Sequence, residues 1–173
     1  MDRGCLPVLW LVVIMKGVKT KMCEKLKFAH EMRLLKPVHE RSTVSLVPYT
    51  SKYQKAYKQM YNACYHKMRE ILDIHPYDYI QDDSFFDSGM DSVYLFIKDG
   101  LLVGSVALKE NEIDDLIVAP KFQGCGIGRE ILLWALEHIS SEPVVLHVAE
   151  WNKRAIRLYR NCGFEITSTF EIK

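Results

Sequence analysis

Residues Gln123 to Gly128 read QGCGIG, three glycines within five positions, set between the apolar run Leu116–Pro120 and the helix-patterned Arg129–Ile139. A glycine-rich turn entering a helix offers unpaired backbone N–H groups at the positive end of the helix dipole, and this combination binds phosphate. A nucleotide P-loop ends in Gly-Lys-Ser/Thr, whereas Gly128 is followed by Arg129 and Glu130. A dinucleotide fingerprint starting at Gly124 needs Gly or Ala at position 129, where Arg129 stands. Both readings are disfavoured. The plain alternative is a strand-to-helix turn in which glycine supplies a positive φ.

What fits is Gln-x-x-Gly-x-Gly (Gln123, Gly126, Gly128), placed five residues after the valine of Val118-x-Pro120, with Asn152, Ala155, Tyr159, Gly163 and Phe164 spaced N-x-x-A-x-x-x-Y-x-x-x-G-F downstream. On these two motifs the chain resembles the GNAT N-acetyltransferase family from about Thr43 to Ile172. The resemblance implies a single α/β domain, a central mixed β-sheet flanked by helices, with parallel strands splayed at an acetyl-CoA site. It also implies that the backbone of Gly124, Cys125, Gly126, Ile127, Gly128 and Arg129, with the Gln123 side chain, wraps the coenzyme A pyrophosphate. The strand end Leu116, Ile117 and Val118 then lies along the pantetheine, the Val118 N–H polarises the thioester carbonyl, and Asn152 orients the pantetheine or its water. No metal is required.

The acceptor amine must be neutral to attack, yet a lysine-like amine of pKa ~10.4 is less than about one part in a thousand neutral at pH 7. A base is needed, directly or through water. Glu112, six residues before Val118, stands where histone-acetylating relatives carry a catalytic glutamate. Asp114 shares its strand parity and is a rival, a water chain is a third option, and Asp115 points the other way unless a bulge intervenes. Tyr159 is the candidate general acid toward the departing thiolate. A phenol near ~10 protonating a thiolate near ~8.5 is uphill by about 2 kcal/mol, so Tyr159 either donates a hydrogen bond first or has a lowered pKa. The opposing reading of Tyr159 is core packing.

These residues need elements to hold them. Thr43–Tyr49 has strand composition, Ser51–Leu72 reads as a helix with Ser51 as cap, and Val93–Glu110 reads as two strands joined at Asp99-Gly100. Glu112–Val118 is a strand, followed by the loop, a helix to Ile139 and the strand Pro143–Val148, an order that implies a parallel crossover. Asn152–Asn161 reads as a helix with Asn152 as its N-cap, and Phe164–Ile172 as a last strand. Family members usually end in a two-strand hairpin, and one strand fits after Gly163, which leaves one wall of the acceptor site undefined. The stretch 73–92, with six aspartates and no Lys or Arg, is read either as a border that attracts a cationic amine or as a solvated loop with aromatic plugs. His147, near the end of the parallel strand, is read either as a group that titrates near the site or, as a lone histidine in a strand, as structural.

A chain of 173 residues with 23 basic and 22 acidic side chains is one domain with no global pull toward nucleic acid or membrane. Five scattered cysteines read as reduced cytoplasmic thiols. Residues 1–42 are set apart as an N-terminal extension, an over-extended start (Met15 or Met22) or a packed segment, before a transferase domain at 43–173. The apolar Leu6–Met15 is half the roughly 20 residues a membrane span needs. The expectation is an acetyl-CoA-dependent N-acetyltransferase acting by direct attack on a primary amine, with a homodimer left open. A non-catalytic acyl-CoA-binding module is the rival.

Overall fold

The computed structural model describes residues 28–36, 38–71 and 74–171; Leu6–Met15, Met22, Cys5 and Cys23 lie outside them. Phe28–Leu34 (β1), Val47–Pro48 (β2), Val93–Lys98 (β3), Leu101–Lys109 (β4), Glu112–Val118 (β5), Val145–Ala149 (β6) and Phe164–Glu171 (β7) form one sheet in the order β2-β3-β4-β5-β6-β1-β7. Its neighbours run antiparallel except β5 and β6, which are parallel. The helices are Gln54–Ile71 (α1), Ile127–His138 (α2) and Lys153–Asn161 (α3). No helix among the described residues is long and apolar enough to cross a membrane.

Most expected elements form where the local chemistry asks for them. Asp99 and Gly100 both take positive φ, 50° and 74°, the conformation that lets a two-residue turn follow the twist of β3 and β4. Asn152 caps α3 by accepting the Ala155 N–H at 3.1 Å. Two expectations differ. Only Val47–Pro48 of Thr43–Tyr49 pairs as a strand, because upstream N–H groups turn to α2: Ser42 donates to Glu137 at 2.6 Å and Thr43 to Glu130 at 2.7 Å. Helix α1 begins at Gln54, after a 3₁₀ turn over Ser51–Tyr53.

β1 has the largest architectural consequence. It lies N-terminal to Thr43 and enters the sheet interior, antiparallel to β6 on one side and β7 on the other. The wall that a second C-terminal strand would make is therefore supplied by the chain's N-terminal side. Paired residues share a face of the sheet, so Met32 lies with Leu146, and Glu31 with His147.

The sheet separates two apolar layers. Met32, Val103, Ile131, Leu132, Leu146, Ile156 and Phe164 pack on the face covered by α2 and α3. Tyr57, Met60, Tyr61, Leu95, Ala107 and Ile117 pack on the face covered by α1. Helix α1 packs over β4 and β5, and the neighbouring part of its face carries Glu31 and His147.

Gly163 ties the exit of β1 to the turn between α3 and β7. Its carbonyl accepts from the Leu35 and Lys36 N–H groups at 3.1 and 3.2 Å. Its φ is +85°, and an added Cβ would collide with the Lys36 carbonyl oxygen. Gly163→Ala is expected to destabilise the fold by about 2–4 kcal/mol. Gly100→Ala, at φ +74° with nothing within 4 Å, is expected to cost only about 1 kcal/mol. Urea midpoints of the two variants check the difference.

Candidate active site

The site begins where β5 and β6 part. Their one paired position is Glu112 with Val145, supported by Val145 N–H donating to Asn111 at 2.9 Å. Beyond it the strands diverge toward Val118 and Ala149. On the other edge of β5 the register with β4 slips between Ser105 and Ala107, so Asp115 and Leu116 oppose Val106 alone. This is a β-bulge, with Asp115 at φ 45°. It is the condition under which Asp115 leaves its expected parity.

The Ala119 N–H donates to the Val103 carbonyl at 2.8 Å, so the preceding pair, Val118 with Gly104, is of the non-hydrogen-bonded kind. The N–H and C=O of Val118 therefore turn away from β4, toward the gap. The carbonyl is taken by the Gln123 side chain at 2.9 Å and the Cys64 thiol at 3.4 Å. Leu116 and Val118 direct their side chains to the α2 and α3 face, whereas Ile117 is buried under α1.

The glycine loop closes the gap on the α2 side. Gly124 and Gly126 have φ of +89° and +81°, and Gly126 is the N-cap of α2. A Cβ at Gly126 would meet nothing within 4 Å, and one at Gly128 only ordinary contacts with Leu158 and Val118. Space beside Gly126 is thus left open by the chain itself, as an anion cradle at a helix N-terminus requires. Cys125 is exposed in the loop, and Ile127 anchors it in the core. Arg129 is occupied elsewhere: its N–H donates to Gly126 at 2.9 Å, and its guanidinium pairs with Glu40 at 2.6 Å. The cation at the loop is Arg154 of α3, 3.4 Å from the Gln123 carboxamide oxygen and beside Gly124. Sequence reasoning missed it. Its position two residues after the N-cap of the helix facing the loop was the available signal.

Because Cys125 is exposed while burial pushes the Cys64 thiol up to about 11 and raises that of Cys162, a maleimide is expected to react first at Cys125 among the described thiols. A bulky adduct there is expected to weaken acetyl-CoA binding at least about tenfold, with Cys125→Ala binding normally. Full affinity after labelling confirmed by mass would contradict the loop's role.

On the opposite face of the gap stands a group of titratable side chains. Glu112 Oε1 lies 2.8 Å from His147 Nδ1, and this hydrogen bond is the main reason the imidazole pKa is raised, against an opposing effect of burial. Asp114 is paired with Lys109 at 2.7 Å. Asp115 accepts from the Tyr61 and Tyr65 hydroxyls, each at 3.1 Å. Burial, with the neighbouring Asp114 charge, pushes Asp115 up to about 6, although the two phenols act in the other direction. Asp115 is thereby a clamp between α1 and the bulge. The approach of His147 to Glu112 depends on the β5–β6 register, which residue types do not reveal.

Tyr159 is buried in α3 beside Phe164. Burial raises its pKa, with Asp114 and Asp115 adding to the effect. The phenol stays protonated, a donor and not a phenolate, which removes the alternative of a lowered pKa. Three of the six aspartates of 73–92 have local partners: Asp78 pairs with His66 at 2.8 Å, Asp82 caps Ser84 at 2.9 Å, and Asp83 faces Lys58 at 3.8 Å. Tyr79 and Phe85 pack against Tyr61 at ring separations of 5.3 and 5.6 Å. That segment is a folded aromatic plug on α1. Among the described residues, no group of three or more His, Cys, Asp or Glu side chains is arranged to hold a metal ion.

Residues 55–164 match the model of the acetyltransferase (GNAT) family. Over 70 residues the chain is 31% identical to peptidyl-lysine N-acetyltransferase YjaB of Escherichia coli, covering 40% of this chain and 46% of that protein. Over 53 residues it is 38% identical to spermidine N(1)-acetyltransferase of Vibrio cholerae, covering 28% and 31%. The matches thus span less than half the length of either relative. Among solved structures, Arabidopsis thaliana Naa50 in complex with the bisubstrate analogue CoA-Ac-MVNAL aligns with a TM-score of 0.51 and 25% identity, over 73% of this chain and 85% of that one.

Proposed function

The chain belongs to the acetyltransferase (GNAT) family, and on that premise we propose that it transfers the acetyl group of acetyl-CoA directly to a primary amine. The observation that carries this reading is the gap between β5 and β6, with an anion cradle on one face and a paired carboxylate and imidazole on the other. Donor and acceptor approach from opposite faces and meet at the Val118 N–H.

In this reading the amides of the loop 124–128, with Gln123 and Arg154, hold the pyrophosphate. The pantetheine follows the edge of Leu116–Val118, and the Val118 N–H donates to the thioester carbonyl where negative charge grows. Asn152 keeps α3 in place through its Oδ1, leaving its amide N–H groups for the pantetheine. The Glu112–His147 pair takes the ammonium proton through water, the neutral amine forms the new C–N bond, and as the C–S bond breaks the second proton lost by the nitrogen goes to the departing sulfur. Tyr159 donates a hydrogen bond to the sulfur as CoA leaves.

The relatives named above act, by their names, on peptidyl-lysine and spermidine; such amines are the acceptors proposed for this chain. We place the reaction in the cytoplasm, where thiols such as Cys64, Cys125 and Cys162 stay reduced. A panel of a lysine peptide, a peptide with a free N-terminus and spermidine tests the reading. The expected result is thiol release from acetyl-CoA matched by acetylated product with at least one amine. Tight acetyl-CoA binding without release above background for all three would favour a binding module instead.

A further inference from the structure

β1 brings one more carboxylate to the acid–base pair. Glu31 is the direct cross-strand partner of His147, and its Oε2 lies 3.9 Å from His147 Nε2, while Nδ1 is 2.8 Å from Glu112. The imidazole is bracketed by carboxylates from the strands on both sides of it. Glu31 is itself fixed in place: Arg33 Nε donates to Oε1 at 2.8 Å and the Thr167 hydroxyl donates to the same oxygen at 2.9 Å. Oε2 is left to face the ring, and Phe170 of β7 packs edge-on against it at 5.8 Å. The charged groups around the imidazole are thus Glu112 and Asp114 from β5, Lys109 from β4 on Asp114, and Glu31 and Arg33 from β1.

We infer that Glu31, supplied by the N-terminal strand, is a positioning residue for proton removal from the acceptor, holding the Nε2 side of His147 while Glu112 holds the Nδ1 side. The inference rests on the acetyl transfer proposed above. When the ammonium N–H bond breaks and a new N–H bond forms on the imidazole, the Glu31–His147–Glu112 group loses one unit of negative charge. Glu31 offsets the positive charge this places on the ring edge that Glu112 does not reach. Its backbone is paired on both sides in the sheet, so the carboxylate is held by the fold and not by a loop.

The test is the titration of His147 by side-chain NMR in the full chain, free of substrates, alongside the pH profile of kcat/KM. Because the imidazole pKa is raised above its ordinary 6.5, activity is expected to rise with pH along a limb above 6.5, as the ring becomes neutral. In Glu31→Gln both the NMR titration and the limb are expected to move down by about half a unit to one unit. The plateau of kcat is expected to fall about threefold or more. Arg33→Gln, which removes a cation from the same side, is expected to move both upward. An unchanged titration in both folded variants would overturn the inference, as would a uniform loss of rate with no movement of the limb. If no acceptor is found, the NMR titration still decides the Glu31–His147 coupling, so the two proposals fail separately.

Discussion

Replacing Tyr159 by phenylalanine is expected to lower kcat about 100-fold, while acetyl-CoA affinity changes less than about threefold. The hydroxyl is the only group removed, and Tyr159 is a buried residue of α3 on the face that carries the glycine loop. Its raised pKa widens the gap to a thiolate beyond the roughly 2 kcal/mol of free phenol and thiol. Complete proton transfer ahead of C–S cleavage is therefore disfavoured. A hydrogen bond that strengthens as charge grows on sulfur acts in the transition state alone, so the loss belongs in kcat. Steady-state kinetics with a saturating amine measure it. An unchanged kcat would return Tyr159 to core packing beside Phe164.

The second large effect concerns β1. A chain beginning at Thr43 is expected to yield no cooperatively folded protein, whereas the full chain is expected to unfold in one cooperative transition. Without β1, β7 loses its sheet partner and β6 keeps only the single paired position of Val145 with Glu112. The loss also empties the space of Met32, fully buried between α2, β6 and β7. A buried methionine alone is worth about 2–5 kcal/mol, against a total stability of about 5–15 kcal/mol for a domain. Circular dichroism melts of the Thr43 chain and the full chain measure the difference. A folded Thr43 chain with full acetyl-CoA affinity would show that β1 is dispensable.

The parts of the fold legible in the sequence are those fixed by local chemistry. Asp99-Gly100 imposes the hairpin, Gly124 and Gly126 turn the loop with positive φ, and Asn152 caps α3, each through a conformation or hydrogen bond that neighbouring residues determine. β1 was not legible, because FAHEMRL alternates histidine, glutamate and arginine with apolar residues and resembles a surface segment. Its polar residues have that character because Glu31 and Arg33 line the site face, while Met32 enters the core on the other. Its partners lie more than a hundred residues away. Such pairing leaves no local trace.

The same reasoning separates the site residues. Glu112, Gln123 and Tyr159 are proposed on motif spacing, which the sequence displays. The contacts of His147, Glu31 and Arg154 are not displayed there, because each is set by register or by tertiary approach: Glu112 and Glu31 bracket His147, and Arg154 meets Gln123 across the loop. In the acidic stretch 73–92, aspartate count alone does not disclose that Asp78, Asp82 and Asp83 have local partners. The bulge at Asp115 was foreseen only as a condition. The structure meets it through two phenols of α1 that no strand pattern contains.

The central claim is that the gap between β5 and β6 passes an acetyl group from CoA straight to an amine. A rapid-mixing single turnover, with the full chain in excess over acetyl-CoA and product followed by mass, tests it most directly. The account predicts that free CoA and acetylated amine appear together, at one rate, and only after the amine is added. Release of CoA before the amine, with the acetyl group left on the protein, would contradict it, as would bound acetyl-CoA that no amine discharges.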